Sequence, residues 1–345
     1  MYKNQLKWTS WLSLLFLIFE VVPGWSQQTH VAALEVSRVV PMAMGGAYSS
    51  VEDGIGSVTY NPATVAFWHL NHGFRFALVA NPVGSVALYS YLNSKEKASL
   101  NQEQWWNVAR ALLKGFVLGL PYFQGGVLLY EEPLGRYENL PENKGLSAEG
   151  LLDNHYETAF GRLNLADRVS LGGTISLYTY LEGDSAKRTV GASYGVLLKP
   201  SRKLNVGVMF YDVPDTIGGI RLPIERLPGG TVNVGISYRP FKGNVTSLDV
   251  RNLTEEAKPA TREVHFGVEQ KFGSFLGVRA GFFQNNDTRQ KYFSAGIGLV
   301  SANLFRANSI AFDNPDFMLN YAYVVERSKS KWGDQWHLVS LLLYF

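Results

Sequence analysis

The stretch DRVSLGGTISLYTYL, residues 167–181, decides the fold. Val169, Leu171, Ile175, Leu177 and Leu181 fall at one parity, and Ser170, Thr174, Ser176, Tyr178 and Tyr180 at the other. Successive side chains of a strand point to opposite faces, so this is a strand with one apolar and one polar face. Leu204, Val206, Val208 and Phe210 alternate in the same way with Asn205, Gly207, Met209 and Tyr211. So do Val264, Phe266 and Val268 with Glu263, His265 and Glu269. Each segment is about as long as the ~9–11 residues that a tilted strand needs to cross hydrocarbon.

A soluble sandwich would also alternate, and the connections decide between the two. The pattern places strands at 73–91, 116–123, 125–132, 154–164, 167–181, 188–198, 203–212, 230–239, 244–252, 261–271, 275–284, 291–300, 316–325 and 335–345. Tight turns at Gln124, Leu165-Ala166, Pro200 to Arg202, Pro240 to Gly243 and Gly273-Ser274 contrast with long loops at 92–115, 133–153 and 213–229. Short turns at one end and long loops at the other mark an outer-membrane barrel with its short turns periplasmic. The expected fold is all-β, a transmembrane antiparallel β-barrel of about 14 strands. Asn81-Pro82 in the first strand and Pro121 in the second are the places where this partition is strained, because proline interrupts a ladder.

Composition agrees. Hydrophobic residues make up 46% of the 345, charged residues only 18%, and there are 34 glycines. A net charge of +3 with scattered basic residues gives no ground for nucleic-acid binding. With no cysteine there is no disulfide framework, thiolate metal site or lipidation cysteine. Residues 1–26 read as a cleaved secretory signal: Lys3 and Lys7 precede the apolar run Trp11 to Val22, and Gly24-Trp25-Ser26 forms a small-x-small site.

One stretch lacks the alternation: VVPMAMGGAYSSVEDGIGSVTYNPATVAFWH, residues 39–69. Gly45, Gly46, Gly54 and Gly56 permit close backbone approach, and Asn61-Pro62 fixes a turn, so this piece can fold compactly in a narrow space. A barrel of about 14 strands has a lumen too wide for its own side chains to fill, which makes 27–72 a plug ahead of a barrel over 73–345. The residues Met44 to Ala47, Asp53 and Asn61-Pro62-Ala63 resemble the N-terminal hatch of FadL-type outer-membrane transporters of fatty acids and other hydrophobic compounds, whose relatives include PorV-like proteins. Thr64-Val65 stands where that family usually has Gly-Leu.

The resemblance implies passive, hatch-gated passage of a long-chain fatty acid or similar hydrophobic molecule. Gly45, Gly46, Asp53, Asn61, Pro62 and Ala63 would act in the hatch, with Asp53 and Asn61 bonded to the inner wall. The alternative it carries is a PorV-like anchoring or shuttle protein whose partner is an exported protein. Trp105, Trp106, Leu112 and Leu113 lie in a segment with helical periodicity of about three turns. It serves either to capture ligand or to rest at the membrane interface among outer-membrane lipids. Val339, Leu341, Leu343 and the terminal Phe345 resemble the signal read by the barrel assembly machinery.

Catalytic patterns fail on context. Gly191 to Gly195 matches G-x-S-x-G, but it lies inside an alternating strand and not on a strand-to-helix turn. His69 and His72 have no acidic or histidine companions to complete a metal site, and His155, His265 and His337 are isolated. The expected protein is monomeric, not an enzyme, and needs no metal or cofactor. Trp336, Leu338, Leu342 and Tyr344 share the parity that points inward, which predicts an inner wall with apolar and aromatic groups.

Overall fold

The computed structural model describes residues 29–67, 74–96, 100–131, 155–182, 185–212, 230–254, 262–273, 275–285, 289–300, 317–328 and 331–344. The signal sequence, His69, His72 and Phe345 lie outside the described residues. The chain opens with β1 (Thr29–Ala32), α1 (Val39–Ala43), α2 (Gly56–Tyr60) and a 3-10 turn over Pro62–Thr64. It continues through β2 (Arg75–Ala80), α3 (Pro82–Glu96), α4 (Gln102–Leu112), β3 (Leu113–Gly119), β4 (Phe123–Glu131), β5 (His155–Ala166), β6 (Val169–Glu182) and β7 (Ser185–Ser201). The remaining strands are β8 (Leu204–Asp212), β9 (Thr231–Tyr238), β10 (Asn244–Arg251), β11 (Glu263–Phe272), β12 (Leu276–Asn285), β13 (Lys291–Val300), β14 (Phe317–Ser328) and β15 (Lys331–Tyr344).

Strands β2 to β15 follow one another around an antiparallel barrel of 14 strands, each paired with its sequence neighbour. The ring closes through Leu343 opposite Ala80 and Tyr344 opposite Val79. Closure pairs the strand edges within the ring, as a structure in hydrocarbon requires, except along the seam where β2 is short. Outward residues form an apolar belt; Ile175 is 63% exposed, a cost in water and a gain in lipid. Inward residues are mostly polar and buried, such as Asn205, Asp249, Glu263 and Arg279.

Several boundaries differ from the sequence reading: Leu165-Ala166, expected as a turn, lies in β5, β7 and β15 begin three and four residues earlier than expected, and two differences change the elements themselves. The expected first strand over 73–91 stops at Ala80, and Pro82 opens helix α3 instead. Proline is favoured in the first helical turn, where its missing N–H costs nothing, so Asn81-Pro82 is a strand-to-helix switch. The expected second strand over 116–123 likewise ends at Gly119, and the turn falls at Leu120 to Tyr122 around Pro121. Gln124, expected in that turn, sits inside β4. Helix α4 is the expected helix of about three turns, except that Leu113 opens β3; it is capped by Asn101, whose side chain accepts from Gln104 N while the Gln104 side chain accepts from Asn101 N.

Because β2 is short, it pairs with only two residues of β15. Farther up the same edge, β1 lies parallel to β15, with Thr29 opposite Gln335 and Ala32 opposite Leu338. Helices α3 and α4 pack together over Leu34 through Leu88, Leu92, Val108 and Ala111. Asn81 ties this seam together. Its Nδ2 donates to Ala33 O at 2.8 Å, and its Oδ1 accepts from Gly84 N and Leu341 N, both at 3.4 Å.

Candidate functional site

Residues 33–66 are almost all buried, and they run along the inner face of the wall. Inward glycines mark their path. A Cβ on Gly296 of β13 would meet Ala43; on Gly281 of β12, Gly45; on Gly267 of β11, Met44; on Gly207 of β8, the Ser49 carbonyl; on Gly172 of β6, Ala63. Five strands thus carry glycine where the plug backbone touches them, because any side chain there would hold the two apart. Gly45 and Gly46, at φ +61° and +72°, turn the plug chain where it meets β11 and β12.

The wall grips the plug backbone with charged side chains. Asp249 Oδ2 accepts from Tyr48 N at 2.9 Å and Ser49 N at 2.8 Å. Glu131 Oε2 accepts from Val36 N at 3.2 Å and Ser37 N at 3.0 Å, and it pairs with fully buried Lys114 at 3.2 Å. Arg251 donates to Gly46 O and His265 Nδ1 meets Gly45 O at 2.6 Å, with Glu263 at 3.0 Å from His265 Nε2. Hydrogen bonds to charged groups contribute about 1.5–3 kcal/mol each in buried settings, so these grips dominate polar docking of the plug.

Asn61 reaches the wall as expected. Its Nδ2 donates to Ser49 O at 2.7 Å and to Val196 O of β7 at 3.3 Å, while its Oδ1 accepts from Ala63 N at 3.0 Å and so caps the Pro62–Thr64 turn. Pro62 and Ala63 lie in that turn, against β6. Asp53 differs from the expectation of a wall contact. Its carboxylate accepts from Tyr48 OH at 2.8 Å, and its backbone bonds Thr64 and Ala66, all within the plug. Burial, together with the adjacent Asp53 charge, pushes the Tyr48 phenol well above its ordinary range and keeps it a donor. The neighbouring acid makes the wall contact instead: Glu52 meets Arg162 of β5 at 2.9 Å and Lys199 of β7 at 2.6 Å.

Beside α1 the inner wall is apolar. Val39, Met42 and Ala43 pack on Phe283, Tyr292, Ala322, Val324, Trp336 and Leu338. His265, Phe283 and Tyr292 stack in a row, with centroids 4.8 and 4.4 Å apart, and Trp336 lies 6.1 Å from Tyr292. The inward parity expected for Trp336, Leu338 and Leu342 is what the structure has.

On the outside, Trp105 and Trp106 of α4 are 53% and 60% exposed, and Leu112 and Leu113 are exposed beside them. The packing side of α4 is Val108 and Ala111, so the tryptophans face away from the barrel body. The Trp105 ring lies tilted against Tyr89 of α3, with centroids 5.7 Å apart. Leu341 and Leu343 lie in β15 at the parity opposite the buried residues. The Gly191 to Gly195 match lies within β7, as its alternation predicted.

Asp249, Glu131, Arg162 and Arg251 did not stand out individually in the sequence. Their only signal is parity: each is a charged residue at the polar register of a strand whose other face is apolar.

A transmembrane barrel with a segment docked along its inner wall is the class that fold and site define. In fold it is similar to three solved proteins. The first is the CymD monoaromatic hydrocarbon channel, 11% identical, covering 90% of this chain and 97% of that one, TM-score 0.47. The second is the Pseudomonas putida toluene transporter TodX, 12% identical, 93% and 97% covered, TM-score 0.45. The third is a Pseudomonas aeruginosa FadL homologue, 10% identical, 93% and 97% covered, TM-score 0.43. No family model and no curated protein matches the chain.

Proposed function

We propose that this protein is an outer-membrane channel that binds and passively admits a hydrophobic small molecule, a long-chain fatty acid or a compound like it, with the docked N-terminal segment as a movable hatch. The observation that carries this reading is the aromatic row on the inner wall. A water-filled porin needs a polar lumen, whereas here Phe283, Tyr292 and Trp336 would be laid bare beside α1 whenever the hatch shifts. An apolar molecule gains about 25 cal/mol per Å² of surface it buries there, and that offsets the loss of hatch packing on the same groups. Exposed Trp105, Trp106, Leu112 and Leu113 supply a first contact at the end bearing the long loops.

The test is uptake of a labelled long-chain fatty acid into proteoliposomes against empty liposomes. Saturable uptake supports the reading; none, with no binding above the lipid background, removes it. A second reading rests on the tight glycine contacts of the hatch: a permanently filled barrel that uses the Trp105–Trp106 surface to anchor an exported protein. Absence of uptake with the tryptophan surface protected by such a partner would favour it.

A further inference from the structure

On the outer wall two cations stand directly opposite each other. Lys291 of β13 pairs in register with Arg327 of β14, and both are exposed. They lie on the outward face, because exposed Phe293 follows Lys291 at the same parity while Tyr292 between them is buried. Like charges directly opposite on one face of a sheet repel and destabilise it. Among the described residues no carboxylate pairs with either cation. Glu326, next to Arg327 in the chain, is opposite inward-facing Tyr292 and accepts from Gln290 Nε2 at 2.7 Å. Arg327 instead lies over the Trp332 ring, 5.4 Å from its centroid, and exposed Arg289 adds a third cation to the same rim.

The height of this pair on the wall says what it meets. Lys291 opens β13 and Arg327 comes near the close of β14, at the end of the barrel opposite the tight β11–β12 turn and so the end with the long loops. Next below, Phe266, Phe282 and Phe293 lie side by side across β11, β12 and β13, and the Phe293 ring meets Trp332 edge-on at 6.2 Å. Ile297 and Leu299, 41% and 36% exposed, continue the outward face of β13 toward the other end. A partner that covers the cations and this face together is anionic at one end and apolar along the rest. In a membrane that partner is a lipid, and a polar protein surface does not fit the apolar face.

We propose that Lys291 and Arg327, with Trp332 beside them, hold the phosphate head group of a lipid in the leaflet at the long-loop end, its acyl chains lying against Phe293 and Ile297. A phosphate monoester carries about −1.5 to −2 charge at neutral pH and several acceptor oxygens, so one head group answers both cations and turns their repulsion into two attractions. The planar Arg fork matches phosphate geometry, and its packing over Trp332 fixes the plane of that fork. The site lies outside the barrel and is independent of what the lumen admits.

The experiment is native mass spectrometry of the full barrel in a nonionic detergent, titrated with dioleoyl phosphatidic acid, dioleoylglycerol and glycerol 3-phosphate. Lys291→Gln and Arg327→Gln should each weaken phosphatidic acid binding about fivefold, the scale of one cation near a lipid surface, and the double variant about twenty-five-fold. Lys291→Arg keeps the charge and should bind as the wild type does, which separates lost charge from lost folding. Arg202→Gln removes an exposed charge from the β7–β8 turn at the other end and should change nothing. Equal weakening by Arg202→Gln, or none by Lys291→Gln and Arg327→Gln, overturns the site. Dioleoylglycerol binding as tightly as phosphatidic acid shows that the phosphate is not read, and glycerol 3-phosphate doing so shows that the chains are not; either overturns the lipid assignment.

Discussion

Asn61→Ala removes the side chain that ties two other parts of the hatch together and bonds them to the wall. Asn61 is fully buried and makes three hydrogen bonds: to Ser49 O, to Val196 O and from Ala63 N. At about 1 kcal/mol net for each, the loss is about 3 kcal/mol, and removal of a cap alone accounts for ~1 kcal/mol of it. None of this falls on the strand ladder. The cost should therefore appear as easier local opening of the hatch, by about a hundredfold at 1.4 kcal/mol per decade. Native-state hydrogen exchange, followed by mass spectrometry on peptides spanning 44–65, reads it directly. Protection there should fall by about two decades while β5 to β8 keep theirs. Unchanged hatch protection would refute the account of Asn61, and loss shared equally by hatch and strands would refute the separation of hatch from wall.

Gly207→Val drives a side chain into the Ser49 carbonyl, so the hatch should undock around 48–50 at a cost of about 1–3 kcal/mol or more, seen as new protease cleavage there. Lys114→Met leaves Glu131 buried and unpaired, which should destabilise the fold by about 3–5 kcal/mol in urea unfolding. Burial alone would raise the Glu52 carboxyl, but Arg162 and Lys199 outweigh it and hold the group below the usual glutamate range. Its contribution to hatch docking is therefore complete above the ordinary glutamate value of about 4.3 and fades as pH falls through the depressed one. Hatch exchange corrected for intrinsic rates should quicken in acid for the wild type and lose that component in Glu52→Gln.

Much of the barrel was legible because its signal is local. Val169, Leu171, Ile175 and Leu177 announce a lipid-facing edge with no knowledge of what lies across the lumen. The errors came where a local cue had two meanings: Asn81-Pro82 can end a strand or start a helix, and only the packing of Leu88 and Leu92 on Leu34 selects the helix. The hatch motif located Asn61 correctly. It misplaced the wall contact onto Asp53, since which of two adjacent acids faces β5 depends on the turn at Val51 and on where Arg162 waits. Nothing local singles out Gly172, Gly207 and Gly281; their purpose lies in residues more than a hundred positions away, beyond the reach of any periodicity.

The absence of cysteine makes a decisive measurement straightforward. Ser237 Oγ lies 2.9 Å from Ser50 O, so Ser50→Cys with Ser237→Cys places two thiols where β9 meets the hatch. Uptake of labelled long-chain fatty acid by proteoliposomes should be abolished when that pair is oxidised and restored on reduction. Equal uptake in the two states would contradict a moving hatch, and with it the central claim that this segment gates the barrel.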